Sequence, residues 1–401
     1  MRDNLRPYLI HALTKVIQSD RYLHPLWISF HEVNICYFTE DSAFAAYISR
    51  YFELGLPDSD IFAAGRSAAS EYTVIHTSSR ELYAFLALYM QDEGERCDID
   101  DGIEILAEQQ DIGAEQVNVL YVHFSRCNRV VVLTDGSDSG DTEHQARVCS
   151  MRLLRALVKV VHLKRGWTLF HAAACQLGDT GIGIVGDKRA GKTSTLLSLL
   201  TSEHAHFISN DKVLLQERTG ALHVLGLPHK VGIRKQTLLR FPGLQAKILQ
   251  AGTTLYYEQN RQVSSPGYVS PNETKEPKIM LLPKEIAALS DTQIQYEGRI
   301  HLWVILIWRI ELAQVEGRRL TSEEAASILV NQQLQLEGTE RILDDCLNPG
   351  QMHRRRCKLE QDIRQAIAGC RIYLLYQNAS ILGEASQMIR SWVEQFEKRD
   401  A

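Results

Sequence analysis

Apolar residues recur along this chain with two periods, and the switches between them mark out its elements. Over residues 1–23 the positions Leu9, Ile10, Leu13, Val16 and Ile17 fall on one face of a helix. Residues 26–38 are rich in strand-type side chains, and 42–53 return to helical spacing. Residues 72–77 read as a strand leading into a helix over 79–90, while 116–124 and 129–134 read as a hairpin. Between them, residues 91–101 are acidic without the spacing of a calcium loop, and read as a solvated turn. These elements predict a small α/β domain over 1–140, and the polar, Gly- and Ser-rich stretch 135–142 is the strongest boundary signal in the chain.

Beyond that boundary a helix is expected over 143–164, with Arg147, Arg152 and Arg155 on a solvated face and Gly166 as its stop. Two short apolar segments, 168–177 and 181–185, are split by Gly178-Asp179, which predicts an antiparallel hairpin. Folded about Asp179 and Thr180, that hairpin sets His171 roughly opposite Lys188. Residues 205–211 read as a strand ending in Asp211, and 212–216 pairs with 222–225 around Thr219-Gly220. Residues 226–235 gather His229, Lys230, Arg234 and Lys235, and 251–278 form a long polar connection. Residues 300–310 predict a fully buried strand with its tryptophans in the core. Thr321-Ser-Glu-Glu324 is a capping box, His353-Arg-Arg-Arg356 a charged helical face, 371–376 a late strand and 380–398 a closing helix.

The candidate chemistry lies between the second strand of the predicted hairpin and the helix after it. Gly186-Asp187-Lys188-Arg189-Ala190-Gly191-Lys192-Thr193 is a complete G-x-x-x-x-G-K-T phosphate loop. Its glycines let the backbone curl until successive N–H groups face one anion-sized hollow. Lys192 reaches terminal phosphates, the Thr193 hydroxyl suits Mg²⁺, and the helix from Lys192 through Ser194 aims its positive end at the same anion. Asp211, at its strand end, is suited to hold Mg²⁺ or to accept a hydroxyl proton. Lys230 and Arg234 are candidate clamps on a transferring phosphoryl group.

The succession His171-Ala-Ala-Ala, hairpin, Gly186 to Thr193, helix, then Ile208-Ser-Asn210-Asp211-Lys-Val-Leu-Leu resembles the HPr kinase/phosphorylase family, over about residues 165–235. The resemblance implies a C-terminal P-loop kinase domain over 141–401, of the HPr-kinase/PEP-carboxykinase-like type, in an α+β (mixed α/β) chain. It implies Mg²⁺-dependent transfer from ATP to a hydroxyl: a protein or peptide serine, or a small metabolite. In that reading Gly186, Asp187, Lys188, Arg189, Ala190, Gly191, Lys192, Thr193 and Ser194 bind the nucleotide, and Thr193 with Asp211 holds the metal. Asp211, His171 and Lys192 surround the transferring group, and a homo-oligomer is implied. Where the family has an acidic pair this chain has Asn210-Asp211, and 231–234 lacks the family's glutamate. Those departures keep open an ATPase or a nucleotide-gated regulatory module, and the loop does not choose between ATP and GTP.

Composition narrows the rest. A net charge of −5 over 401 residues argues against a general nucleic-acid binder. Neither a secretory leader nor an apolar stretch long enough for a bilayer is apparent, so no membrane partner is expected. The eight cysteines are scattered without a C-x-x-C pair, which points to neither a zinc site nor a disulfide framework, and suits a cytoplasmic location.

Overall fold

The computed structural model describes residues 7–8, 10–15, 24–39, 42–52, 71–77, 80–90, 96–100, 102–112, 115–134, 142–250, 278–348, 364, 367 and 369–400. They form a mixed α/β chain in two units, one drawing on Met1–Val161 and Leu336–Pro349, the other on His162–Gln259, Lys275–Gln335 and Gly350–Ala401. Among the described residues no helix is long and apolar enough to cross a membrane, and the described cysteines are free thiols.

The first unit is built on a seven-stranded sheet with the order β1-β2-β3-β7-β6-β5-β4. Its strands are β1 (His24–Phe30), β2 (Val33–Thr39), β3 (Tyr72–Thr77), β4 (Arg96–Asp100), β5 (Ile103–Ile112), β6 (Glu115–Phe124) and β7 (Arg129–Thr134). The expected strand over 26–38 is a hairpin: β1 pairs antiparallel with β2 around His31 and Glu32, His31 taking a left-handed φ of 48°. No Gly or Pro marks that turn, so the sequence offered no break. The acidic stretch is likewise not simply a turn, because residues 96–100 form β4 and pair with the unforeseen β5. The predicted β6–β7 hairpin is present. Leu86 of the helix Arg80–Met90 packs with Ile105, Val122, Val131 and Leu133 in one core. Leu13, from the predicted N-terminal helix, is fully buried in that core, while Leu9, Val16 and Ile17 lie outside the described residues. The helix Thr339–Leu347 belongs to this unit, tied to it by Thr339 Oγ1 donating to Glu108 Oε2 at 2.7 Å and by the Lys159–Glu340 ion pair. Glu108 Oε2 also accepts from Tyr121, whose hydroxyl burial holds it protonated well above its usual range.

In the second unit a six-stranded sheet has the order β11-β9-β10-β17-β19-β18. It uses β9 (Ala173–Leu177), β10 (Thr180–Gly186), β11 (His206–Ser209), β17 (Leu302–Trp308), β18 (Glu316–Arg319) and β19 (Arg371–Gln377). β9 and β10 form the expected hairpin, Leu177 facing Thr180, while β10, β17 and β19 run parallel. Four further strands make an antiparallel sheet in the order β16-β13-β12-β8, from β8 (Thr168–Phe170), β12 (Val213–Arg218), β13 (Ala221–Gly226) and β16 (Glu297–Ile300). Within the basic segment, β14 (Val231–Arg234) pairs with β15 (Lys278–Leu281) as a separate ribbon. The predicted strand 300–310 breaks at His301 and stops at Trp308, leaving Ile310 exposed. Leu196, Leu200, Phe207, Val304 and Leu375 pack on one face of the larger sheet, where Trp392 of the helix Leu382–Asp400 stacks flat on Tyr373. The capping box starts the helix Ser322–Val330 as read, with the Thr321 amide donating to Glu324 Oε2 at 2.9 Å. Residues 251–277 and 353–356 lie outside the described residues.

Candidate functional site

Three parallel strands end on one edge of the larger sheet, and their register decides what gathers there. Gly186 is aligned with Leu306, and Trp308 with Gln377, so the loop after β10 opens beside the carboxyl ends of β17 and β19. The carboxyl ends of parallel strands are where open α/β sheets bind ligands. The loop backbone is tight. A Cβ on Gly186 would lie 2.7 Å from the Leu306 carbonyl oxygen, and Gly191 sits at a left-handed φ of 97°. Arg189 also takes a left-handed φ, of 75°, an uncommon conformation for a side-chain-bearing residue and a mark of local strain.

Lys192 begins the helix Lys192–Ser202 and is buried, its Nζ donating to the Gly186 carbonyl at 2.7 Å and the Asp187 carbonyl at 3.3 Å. Burial lowers the ammonium's affinity for its proton, against the pull of Asp211 and Asp187. Asp187, Lys188 and Arg189 stand exposed at the tip, Ser194 is buried and Thr193 is half-buried. Behind the loop lies a residue that sequence reasoning missed. Gln377, buried at the end of β19, donates from Nε2 to the Ala190 carbonyl at 3.1 Å and the Thr195 hydroxyl at 2.9 Å. The Trp308 ring closes on Gly191 from the same side. The signal was a lone amide ending an apolar strand, which has no motif.

His171 leaves β8 for β9, its backbone N–H donating to the Gln332 carbonyl at 2.8 Å. The β9–β10 pairing ends at Ala173 and Ile184, so His171 lies beyond the paired hairpin and is not opposite Lys188 by strand register. Its Nδ1 is 3.5 Å from Asp211 Oδ1. Burial lowers the histidine's proton affinity, and the Lys192 charge lowers it further, while Asp211 opposes both. Asp211 therefore acts on both His171 and Lys192, which brings the predicted acid, histidine and lysine together. The additional cation acting on His171 is Lys212, which sequence reasoning passed over. Arg234 lies in the ribbon opposite Lys278, and Lys230 just before that ribbon is half-buried.

The oxygen types at the predicted metal residues suit a hard divalent cation. Thr193 offers a hydroxyl and Asp211 a half-exposed carboxylate, and the Asn210 Oδ1 carbonyl between β11 and Asp211 is buried without a hydrogen-bond partner. Hydroxyl, carboxylate and amide oxygens are what Mg²⁺ and its waters take.

No family model matches the chain, and no curated protein matches it. Among solved structures it is similar to the HPr(Ser) kinase/phosphatase from Coxiella burnetii, with 11% identity over 58% of this chain and 97% of that one, at a TM-score of 0.26. So low a score bears no argument, and the site rests on its own geometry.

Proposed function

We propose that the second unit binds the phosphates of ATP or GTP and transfers the terminal phosphoryl group to a hydroxyl. The observation that carries this reading is the convergence of Lys192, Asp211 and His171 at a phosphate loop, with Asp211 within 3.5 Å of the histidine and acting on the lysine charge. Phosphoryl transfer asks mainly for positioning and charge neutralisation. The loop amides and Lys192 hold the β- and γ-phosphates, and Lys230 and Arg234 are the candidate clamps on the transferring group. His171, kept neutral near pH 7 by burial, orients Asp211, which accepts the proton of the attacking hydroxyl. Bound Mg²⁺ supplies charge neutralisation, with Thr193 and Asp211 holding it directly or through water. The sequence resemblance to HPr kinases makes a seryl hydroxyl of a protein or peptide the first acceptor to try, and a small metabolite the second.

Asn210, where a second acid would strengthen metal binding, favours a competing reading: a regulatory module that binds nucleotide without a phosphorylated product. Incubation with γ-labelled ATP or GTP, Mg²⁺ and candidate acceptors separates the two. Label on an acceptor, abolished by Lys192→Ala and by Asp211→Asn, supports the kinase. Tight nucleotide binding without transfer to any acceptor supports the module, and absence of nucleotide binding overturns both.

A further inference from the structure

In the first unit, away from the phosphate loop in sequence, β5 and β6 place Glu104 directly opposite His123 across the antiparallel pair. Directly paired residues share one face of the sheet, so their side chains meet. Cys346, from the helix Thr339–Leu347, brings its sulfur to the same spot, and the three donor atoms all lie within 4.8 Å of one another. His123 is only 3% exposed, yet neither of its ring nitrogens has a hydrogen-bond partner, and Glu104 Oε2 is also buried without one. Nδ1 of His123 and Oε2 of Glu104 are 3.8 Å apart, too far for a hydrogen bond between them. Buried polar atoms left unpaired in this way are destabilising unless something else engages them.

We infer that Glu104, His123 and Cys346 form a binding site for a borderline-soft divalent transition metal, of which Zn²⁺ is the best match. A carboxylate, an imidazole and a thiolate are the donors zinc takes, and three protein ligands leave a fourth position for water or another donor. Tetrahedral ligands around zinc stand about 3.3 to 3.8 Å apart, so the observed cluster closes on an ion with shifts of about 1 Å or less. The surroundings orient the ligands. Arg96 Nη2 donates to Glu104 Oε1 at 2.7 Å, which leaves Oε2 for the ion. The helix that supplies Cys346 is anchored independently, through Thr339 to Glu108 and Gln110. The ligand residues are 104, 123 and 346, so a bound ion would staple that late helix to a sheet formed from the early part of the chain. The spacing between these residues matches no zinc motif, which is why the sequence pointed away from such a site.

The test is Co²⁺ titration of the full-length, chelator-treated protein. The expected result is saturation near about one equivalent, with a thiolate-to-cobalt charge-transfer band in the near ultraviolet and intense tetrahedral bands in the visible. Cys346→Ser removes the charge-transfer band, and His123→Gln or Arg96→Ala weakens binding by about tenfold or more. Metal held at the phosphate loop has only oxygen donors and gives no such band, so the two sites are read separately. A second measurement uses the unmodified chain: Zn²⁺ slows alkylation of Cys346, read by peptide mass mapping, while the exposed Cys127 reacts as before. A charge-transfer band that survives Cys346→Ser, or alkylation of Cys346 at equal rates with and without zinc, overturns the inference.

Discussion

Replacing Gln377 with methionine tests whether the end of β19 braces the phosphate loop. The volume is nearly kept, so the change removes hydrogen bonds without opening a cavity. The amide donates to the Ala190 carbonyl at 3.1 Å and the Thr195 hydroxyl at 2.9 Å, in a position with no solvent access. Each acceptor left unpaired in the interior costs about 1 to 3 kcal/mol, so together about 2 to 6 kcal/mol. Ala190 precedes Gly191 and Lys192, and Thr195 lies in the first turn of the helix, so the loss falls on the segment that presents Lys192. For a unit of this size about 3 kcal/mol corresponds to a fall in Tm of about 6 to 12 °C. Thermal unfolding measures that fall, and nucleotide titration is expected to show affinity reduced by about tenfold or more. An unfolding temperature within about 2 °C of the parent, with nucleotide affinity unchanged, would refute the bracing argument.

Other perturbations read different parts of the same design. Gly186→Ala drives a Cβ to 2.7 Å from the Leu306 carbonyl, which β10–β17 pairing holds in place; a loss of about 2 kcal/mol or more in denaturant unfolding is expected, together with loss of nucleotide binding. His171 has its proton affinity lowered in the folded state, first by burial and then by Lys192, so the unfolded chain binds the proton more readily. Stability is then lost as pH falls through and below about 6.5, and His171→Gln should flatten that slope in unfolding experiments from pH 8 to 5. Transfer activity should decline at lower pH than the onset of that stability loss, because the folded-state imidazole holds its proton less readily than the unfolded one. Thr321→Ala removes the cap of the helix Ser322–Val330 and is expected to cost about 1 kcal/mol without altering nucleotide affinity, measured by thermal unfolding and titration.

Local signals carried much of the second unit. The β9–β10 hairpin, the phosphate loop and the capped helix each announce themselves in a few consecutive residues, through Gly178-Asp179, the paired glycines, and Thr321 with Glu324. The first unit was harder to read, for physical reasons. His31 and Glu32 make a two-residue turn with no glycine, so β1 and β2 look like one strand. β5 was missed because Glu104, Glu108, Gln109, Gln110 and Asp111 make it look like a polar linker. Several of those polar groups are satisfied only by tertiary partners: Gln110 donates to Tyr121 at 2.7 Å and accepts from Arg152 at 3.0 Å. Burial of a polar strand is legible only once its partners are known.

The same reasoning separates what was visible at the candidate site from what was not. In the proposed site the roles of Gly186, Gly191 and Lys192 follow from backbone geometry, since a loop that wraps an anion requires a fixed spacing, and spacing is what a sequence displays. Asp211 and His171 stand at strand ends 40 positions apart, and their 3.5 Å approach depends on β11 and β9 pairing in one sheet while β8 and β12 pair in another. Two sheets sharing these consecutive strands leave residues 171 and 211 at the crossovers between them. A crossover residue is held by pairing on both sides and is free of ladder bonds to either sheet, which suits a group that must be positioned and still face a substrate. Gln377 follows the converse logic: it ends its strand buried, with its amide engaged by the Ala190 carbonyl and the Thr195 hydroxyl. Substitutions at the crossovers should therefore change turnover more than stability, and substitutions at the strand end should change both.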